Sequence, residues 1–391
     1  MADARPLLTR LRAENVRSFA RLDLELGALT VLVGPNGAGK SNVVELLRFL
    51  RDASTSTMFE AIAHQRGWSA FRRHHADSVR FGMILAEGDD RLDYDARVND
   101  VGWTIMVHHE HIELEGSDTV GIYHDHKSSK VLPARRIGMD SRDNPDLALL
   151  RPGTLVPMTA ADDSTFGNGS TSGVETARIT SHLLRHVGGI RIYNPVSATL
   201  RDQPQRTDAD PILKEDLSNL GAVLVAIRET LLGDQIDRAL ALLVDGVTGY
   251  TVLQAGSTLV PQILYGLGGA RDLGLESDGT IRLVALLAAL YQPVLPSLVV
   301  LEEPEMGLHP GVLSALAEFI EEASTRMQVL VTTHSPDLID CFDLDVLRVV
   351  EKIDGESRVG PVRPQQREAI RKHLFQPSEL MRMEGLQLDL G

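Results

Sequence analysis

The N-terminal part of the chain changes its hydrophobic period at one glycine-rich stretch. Apolar residues alternate with polar ones over 22–26, and a continuous apolar run follows at 29–33, which is typical of a strand buried on both faces. From Lys40 the apolar positions take a helical spacing that ends near Arg51. The pattern predicts a strand, a glycine loop and a helix in direct succession.

The next part of the chain predicts antiparallel strands. Short extended segments are separated by Gly and Asp turns, at 79–85, 91–98, 103–114 and 120–126. We therefore expect an antiparallel β arm over 79–135.

The middle of the chain predicts an inserted lobe of helices and loops. Residues 152–174 are rich in turn formers and indicate a mobile loop. Helical spacing resumes at 175–186 and again at 217–243, with candidate breaks at Gly221 and Gly233.

The last third of the chain alternates helices with short apolar strands. The predicted elements are helix 280–291, strand 298–301, helix 310–323, strand 328–331, a helix from Pro336 and strand 346–350. This order is typical of an α/β fold with a mostly parallel sheet flanked by helices. The patterns divide the chain into an N-terminal α/β part, the β arm, the inserted lobe and a C-terminal α/β part, at 1–78, 79–135, 136–270 and 271–391.

The glycine-rich stretch fits the phosphate-binding pattern G-x-x-x-x-G-K-[ST]. In such a loop the backbone N–H groups surround the phosphates, the lysine reaches the outer phosphates and the hydroxyl offers a ligand to Mg²⁺. A chance glycine turn is the alternative, but it does not explain the strand before the loop and the helix after it. The candidate nucleotide-binding residues are Gly34, Pro35, Asn36, Gly37, Ala38, Gly39, Lys40, Ser41 and Asn42, with Ser41 also a candidate metal ligand.

Two adjacent carboxylates follow the apolar run 298–301. Glu302 and Glu303 are expected at the carboxyl end of that strand, where ligands bind in open α/β sheets. We interpret Glu302 as a Mg²⁺ ligand that acts through water, and Glu303 as the general base that orients the attacking water. A solvated acidic turn is the alternative interpretation.

Two further segments offer polar groups to a phosphate. His334 follows strand 328–331 and could lie beside the terminal phosphate, although a capping or core histidine is the commoner role. Ser277 and Gly279 precede helix 280–291. Ser277 can cap that helix, and the exposed helix N-terminus can also bind a phosphate, which need not belong to the nucleotide of the same chain.

Charge restricts the function classes. The 391 residues carry a formal net charge of −15, which repels a polyanion, so direct DNA binding would need a local basic patch or a partner. One patch interleaves Trp68 and Phe71 with basic side chains, but a solvated surface is the favoured interpretation. The basic members are Arg66, Arg72, Arg73, His74, His75 and Arg80.

Cysteine content and hydropathy predict a cytoplasmic protein. The single cysteine, Cys341, permits no internal disulfide and is interpreted as a small core residue. The start of the chain has no apolar signal core, and no stretch is long and apolar enough to span a bilayer. We expect no membrane contact.

Histidines cluster on a predicted hairpin around 116–119. Pairing of the apolar residues of its strands, Ile112 with Ile122, sets one register, which places His108 opposite His126 and Glu110 opposite His124. A slip by one residue would instead bring His109 and His111 to face the other pair. Either register could form a metal set, although a ladder of polar side chains facing solvent is the commoner outcome. The histidines are His108, His109, His111, His124 and His126.

Four motifs in this order, with a long insert after the first, resemble the ABC-type ATPase heads of the RecF, SMC and OLD-like group. They are the loop Gly34–Asn42, the Ser-Asp-Gly-Thr signature Ser277–Arg282, the Glu-Glu-Pro-Glu segment Glu302–Pro310 and the switch Thr332–Ser335. The segment Asn15–Phe19 is also similar to the opening strand of that group. The resemblance implies an ABC-ATPase head with a P-loop core, to which the β arm and the inserted helical lobe are attached.

The resemblance also implies a homodimer that sandwiches two ATP molecules, with Mg²⁺ as cofactor. Ser277 and Gly279 of one subunit would touch the γ-phosphate that Lys40 of the other subunit holds. His334 would be the switch histidine, and the turn 307–310 would lie at the subunit contact.

The function that the resemblance implies is ATP hydrolysis coupled to a separate effector protein, in bacterial anti-phage defence or genome maintenance. A RecF-like repair protein that itself clamps DNA is the alternative. A transporter subunit fits poorly, because the signature is Ser-Asp-Gly-Thr and the Q-loop has only a weak counterpart, Gln65. Residues 336–391 are too few for the TOPRIM domain of an OLD nuclease, so we expect no nuclease activity in this chain.

Overall fold

The structure is a computed structural model that describes residues 7–56, 58–100, 105–115, 120–125, 128–133, 185–194, 212–266 and 268–389. The strands in these ranges are β1 Leu7–Val16, β2 Phe19–Glu25, β3 Leu29–Val33, β4 Ser78–Glu87, β5 Asp90–Asp100, β6 Ile105–Glu115, β7 Val120–Asp125, β8 Ser128–Pro133, β9 Ile190–Tyr193, β10 Val247–Ala255, β11 Thr258–Tyr265, β12 Ala270–Asp272, β13 Leu298–Glu302, β14 Gln328–Thr333, β15 Leu347–Ile353 and β16 Glu356–Gly360. The α-helices are α1 Lys40–Thr55, α2 Met58–His64, α3 Trp68–Phe71, α4 Leu220–Arg228, α5 Leu232–Leu243, α6 Asp278–Tyr291, α7 Leu313–Ser324, α8 Pro336–Ile339, α9 Pro364–Arg371 and α10 Pro377–Met383.

A six-stranded, mostly parallel sheet forms the centre of the molecule, as the α/β order predicted. Its strand order is β16-β15-β3-β14-β13-β9, and the β15–β16 pair is antiparallel while the other pairs are parallel. Val33 pairs with Thr333, and Glu302 pairs with Thr332. The carboxyl ends of β3, β13 and β14 therefore lie at the same edge of the sheet. This edge carries the glycine loop, the two carboxylates and His334.

A seven-stranded antiparallel sheet contains the predicted β arm. Its order is β2-β1-β4-β5-β6-β7-β8, so the arm continues the sheet that β1 and β2 begin. Phe49 of α1 packs its ring 5.0 Å from that of Phe81 on β4, and both belong to one hydrophobic cluster with Val300 of β13. Helix α1 thus packs against both sheets, which fixes the direction in which it leaves the glycine loop.

The inserted lobe is not purely helical, which corrects the prediction. Helices α4 and α5 are present, but β10, β11 and β12 follow them as a three-stranded antiparallel sheet. Pro261 lies inside β11, and a proline inside a strand weakens the sequence pattern on which a strand is recognised. The helix break lies just before Gly233, as predicted, whereas Gly221 is buried inside α4.

Some predictions concern residues beyond the described ranges. The loop 152–174 and most of the helix 175–186 lie outside them, while residues 185 and 186 are helical. Among the described helices, none is long and apolar enough to cross a membrane.

Candidate active site

The phosphate-binding loop joins β3 to α1 in a conformation that requires glycine. Gly39, the residue before α1, has φ 121°, and a Cβ there would lie 2.5 Å from the hydroxyl oxygen of Ser357. Only a residue without a side chain fits this position. Ser357 also donates a hydrogen bond of 2.7 Å to Ser18, and Asn42 donates one of 2.6 Å to the same serine. Ser18 of the opening segment and Ser357 of β16 thus pack against the loop at Gly39.

Lys40 is buried at the start of α1. Its Nζ donates hydrogen bonds to the main-chain oxygens of Gly34 (2.6 Å) and Pro35 (3.1 Å), so the ammonium group lies inside the loop. Burial lowers the pKa of Lys40, while the charges of Glu303 and Glu305 act in the opposite direction. The lysine therefore sits in the field of the carboxylates that follow β13.

Glu302 ends β13 as a partly buried carboxylate. Burial raises its pKa, and the guanidinium of Arg48 on α1, whose Nη2 lies 3.7 Å from Glu302 Oε1, opposes the rise. Arg48 also donates a hydrogen bond of 2.8 Å to Glu215, which precedes α4. Burial disfavours the charged form of this carboxylate, and a bound cation would stabilise that form.

Glu303 is held in a strained backbone conformation. Its φ is 45°, which non-glycine residues rarely adopt and which concentrates at functional sites. Its N–H donates to the main-chain oxygen of Thr332 at 2.9 Å, and its own carbonyl accepts from Arg282 of α6 at 2.8 Å. The signature helix and the neighbouring strand together fix this turn.

The side chain of Glu303 faces His334. Glu303 Oε1 lies 3.2 Å from His334 Nδ1, which is ion-pair distance, although the imidazole is not aligned for a hydrogen bond. The His334 side chain is 40% exposed, so one part of the ring remains open to solvent. The parallel pairing of β13 with β14 brings these two residues together.

Sequence reasoning gave no role to Glu305, which the structure places inside this group. Its side chain is 7% exposed, and Oε1 accepts a hydrogen bond of 2.5 Å from the hydroxyl of Thr333. The signal in the sequence was a third acidic residue two positions after Glu303, beyond Pro304.

The signature residues lie at the N-terminus of α6. The hydroxyl of Ser277 accepts a hydrogen bond of 3.2 Å from the N–H of Thr280, so the predicted capping role is confirmed. Ser277 is exposed. A Cβ on Gly279 would lie 2.7 Å from the main-chain oxygen of Gly307, which means that the signature packs directly on the turn 307–310.

Gln65, the weak Q-loop candidate, is buried and accepts a hydrogen bond from Arg17. Arg17 is also 3.5 Å from Glu45 of α1. Gln65 thus contacts the opening segment of the chain, through which it is linked to the helix that follows the phosphate-binding loop.

The basic patch is partly neutralised by acidic neighbours, in agreement with a solvated surface. Arg73 forms an ion pair of 2.6 Å with Glu356, and Arg80 forms one of 2.8 Å with Asp95. Phe71 is fully buried, so its ring is not available to stack on a base.

The hairpin strands pair in the first of the two predicted registers. Ile112 lies opposite Ile122, and Glu110 lies opposite His124. His126, which this register would place opposite His108, lies outside the described residues. Metal binding at the hairpin therefore stays a prediction.

Cys341 is half-buried and packs against a second hydrophobic cluster, which includes Val331 and Leu338, as expected for a small packing residue. Burial raises the pKa of its thiol, which keeps the sulfur protonated.

A family model described as "AAA domain, putative AbiEii toxin, Type IV TA system" matches residues 29–100 and 176–340, more than half of the chain. The chain belongs to this AAA-domain family. All four motifs of the candidate active site fall inside the matched ranges.

Relatives of this AAA-domain protein agree with the resemblance to the RecF, SMC and OLD-like group, which is confirmed. The chain is 23% identical over 370 residues to an OLD nuclease of Thermus scotoductus, covering 90% of this chain and 63% of that protein. It is 35% identical over 79 residues to the DNA replication and repair protein RecF of Corynebacterium jeikeium, covering 20% of this chain and 19% of that protein. The chain thus spans less than two thirds of the length of these relatives.

Solved structures show the fold of the AAA-domain protein to be that of an ABC-type head. An Smc head bound to the C-terminal winged-helix domain of ScpA superposes with a TM-score of 0.58 at 15% identity, covering 92% of this chain and 99% of that chain. An Smc head domain from Pyrococcus furiosus, bound to the C-terminal domain of ScpA, gives 0.56 at 11% identity, covering 94% and 99%. The predicted fold class is confirmed.

Proposed function

We propose that this protein is a Mg²⁺-dependent ATP hydrolase. The observation that carries the proposal is the approach of Glu303 to His334 at the sheet edge from which the phosphate-binding loop also leaves. A carboxylate and an imidazole beside a phosphate-binding loop are suited to activating a water and stabilising the charge that develops on the phosphate.

ATP and Mg²⁺ fit the residues of the loop. The loop requires glycine where a Cβ would meet Ser357. In a loop of this kind the backbone N–H groups can turn toward the phosphates. Lys40 would exchange its two main-chain acceptors for the outer phosphates, while Ser41 and Glu302 would hold Mg²⁺, Glu302 through water. Bound Mg²⁺ neutralises phosphate charge and holds the phosphates in position.

In this proposal Glu303 is the general base and His334 its partner. The main chain of Glu303 accepts a hydrogen bond from Arg282 and donates one to Thr332, which fixes the backbone that carries the carboxylate. A fixed base loses less entropy when it orients the attacking water. His334 would stabilise the charge that develops on the terminal phosphate.

We further propose an ATP-dependent homodimer that forms two composite sites. Ser277 and Gly279 would touch the nucleotide held by the partner subunit. Exposed apolar residues flank this surface, since Leu275 is 72% and Met306 is 49% exposed. Burial of such side chains in a dimer removes apolar area from water and stabilises association.

The dimer is proposed to control a separate effector in bacterial defence or genome maintenance. The similar Smc heads are bound to a domain of ScpA, and the family of this chain is described as a putative toxin of a Type IV TA system, which together support an ATPase that acts with a partner. Co-purification from the native cell, with mass spectrometry of bound proteins in the presence and absence of ATP, tests this. A protein that stays alone in both conditions contradicts it.

The hydrolase itself is tested with purified full-length protein in a phosphate-release assay with ATP and Mg²⁺. We expect turnover that chelation of the metal abolishes and that Lys40→Ala abolishes. Absence of turnover above that of Lys40→Ala contradicts the proposal.

A further inference from the structure

Glu305 binds the segment that carries His334. Glu305 Oε1 accepts a hydrogen bond of 2.5 Å from the hydroxyl of Thr333 and lies 3.4 Å from the N–H of His334, which points at the same oxygen. Thr333 has no exposed surface. The main chain at the end of β14 is therefore tied to the turn after β13, through contacts between residues 28 and 29 positions apart.

The carboxylate of Glu305 also interacts with the cations of the site. Its charge raises the pKa of both Lys40 and Arg282 against the lowering effect of their burial. Its second oxygen, Oε2, is buried and has no hydrogen-bond partner among the described residues. A buried carboxylate with one unpaired oxygen costs free energy, and that cost is justified where the group has a functional task.

We infer that Glu305 is a positioning residue that holds His334 against Glu303 through the hydroxyl of Thr333. The inference rests on the proposed ATP hydrolysis and names a residue that controls it. Glu305 Oε1 lies 3.9 Å from His334 Nδ1, compared with 3.2 Å for Glu303 Oε1, so both carboxylates lie near the same ring nitrogen. Glu305 fixes the backbone under the ring, and Glu303 faces the ring itself.

Three substitutions separate this role from general packing. Glu305→Ala removes the acceptor. Thr333→Val keeps the shape of the side chain but removes the donor to Glu305, together with the oxygen that accepts from the N–H of Ser335 at 3.0 Å, and Glu305→Ala leaves that second bond in place. Thr333→Ser keeps the hydroxyl and loses only the methyl group. Glu318→Gln, on the exposed face of α7, is the matched control for loss of a carboxylate charge.

The first measurement needs no nucleotide. In full-length protein with labelled histidine, the imidazole Cε1–H signal of His334 is assigned by its loss in His334→Ala. We expect Glu305→Ala and Thr333→Val to shift or broaden this signal, because the ring samples more than one orientation. Thr333→Ser and Glu318→Gln leave it in place.

The second measurement is the rate of ATP hydrolysis. We expect Glu305→Ala and Thr333→Val to lower kcat by at least about tenfold, because a small displacement of a catalytic group is enough to do so. KM changes by less than about threefold, and Thr333→Ser stays within about threefold of wild type. In a His334→Ala background neither Glu305→Ala nor Thr333→Val lowers kcat further by more than about twofold, because residues that act through one group are not additive.

Two outcomes overturn the inference. One is a Thr333→Val protein with an unmoved His334 signal and wild-type kcat. The other is an undiminished loss of kcat when Glu305→Ala is added to His334→Ala, which would assign Glu305 to the fold or to another group. A wild-type protein that hydrolyses no ATP refutes the proposed function instead, while the His334 signal still tests the contact on which the positioning depends.

Discussion

The guanidinium of Arg282 donates a hydrogen bond of 2.8 Å to the main-chain oxygen of Glu303, the residue that the site holds at φ 45°. Arg282 belongs to the signature helix α6, and Glu303 follows β13. The signature helix is thus hydrogen-bonded to the main chain of the proposed base within one subunit. A displacement of α6 would therefore also displace Glu303.

Replacement of Arg282 by lysine tests this connection. Lysine keeps the charge but lacks the guanidinium's several donors, so we expect the unfolding free energy to fall by about 1–3 kcal/mol and kcat by about tenfold. Urea unfolding and phosphate release measure the two effects. Arg326→Lys is the control, because Arg326 donates to the main-chain oxygen of Leu290 at the other end of α6. If both variants lose kcat equally, the link to Glu303 is not the cause.

The partly buried Glu302 gives a pH dependence to the stability of the metal-free protein. Its pKa is raised by burial, so the folded state binds the proton more tightly than the unfolded state, in which a glutamate titrates at about 4.3. This group therefore costs stability as pH rises through the raised value, and the cost is absent below the unfolded value. We expect Glu302→Gln to raise Tm at pH 7 and to leave it unchanged near pH 4. A variant that melts below wild type at pH 7 would show that Arg48 outweighs the burial.

The proposed composite site is tested with Ser277→Arg. Ser277 is exposed and its main role within the subunit is to cap α6, so nucleotide binding should be nearly unchanged. ATP-dependent association should be lost, because bulk and charge enter the contact between subunits. Size-exclusion chromatography with ATP checks this.

Mixing Ser277→Arg with Lys40→Ala sharpens the test. In a mixed dimer both substitutions fall in one composite site and spare the other, so partial recovery of ATP hydrolysis is expected. No recovery in mixtures that demonstrably contain mixed dimers counts against sharing between subunits.

Elements whose buried positions follow a regular pattern along the chain were predictable from the sequence. Strand β3 buries every residue, and α1 buries an apolar stripe, so both leave a clear local pattern. The hairpin register was narrowed to two by the sequence, and the structure has the one in which Ile112 pairs with Ile122.

Elements that depend on tertiary contacts escaped the sequence pattern. Strand β11 contains Pro261, and Gly221 packs inside α4 instead of ending it. The tie between Glu305 and Thr333 joins residues 28 positions apart, and no local period records such a contact. The motifs located the site, whereas the arrangement of its carboxylates around His334 needed the fold.

We propose distinct roles for the two adjacent carboxylates, with Glu303 as the general base and Glu302 as the metal ligand. Glu303→Gln keeps the size of the side chain and removes the base, so ATP should still bind and close the dimer while turnover falls by about 10²-fold or more. Glu302→Gln should weaken Mg²⁺-dependent nucleotide binding as well, because metal coordination acts already in the bound ground state.

The most direct measurement is phosphate release by Glu303→Gln beside size-exclusion chromatography of the same protein with ATP and Mg²⁺. We expect a stable dimer that hydrolyses almost no ATP. A Glu303→Gln protein that hydrolyses ATP at the wild-type rate would contradict the assignment of the base.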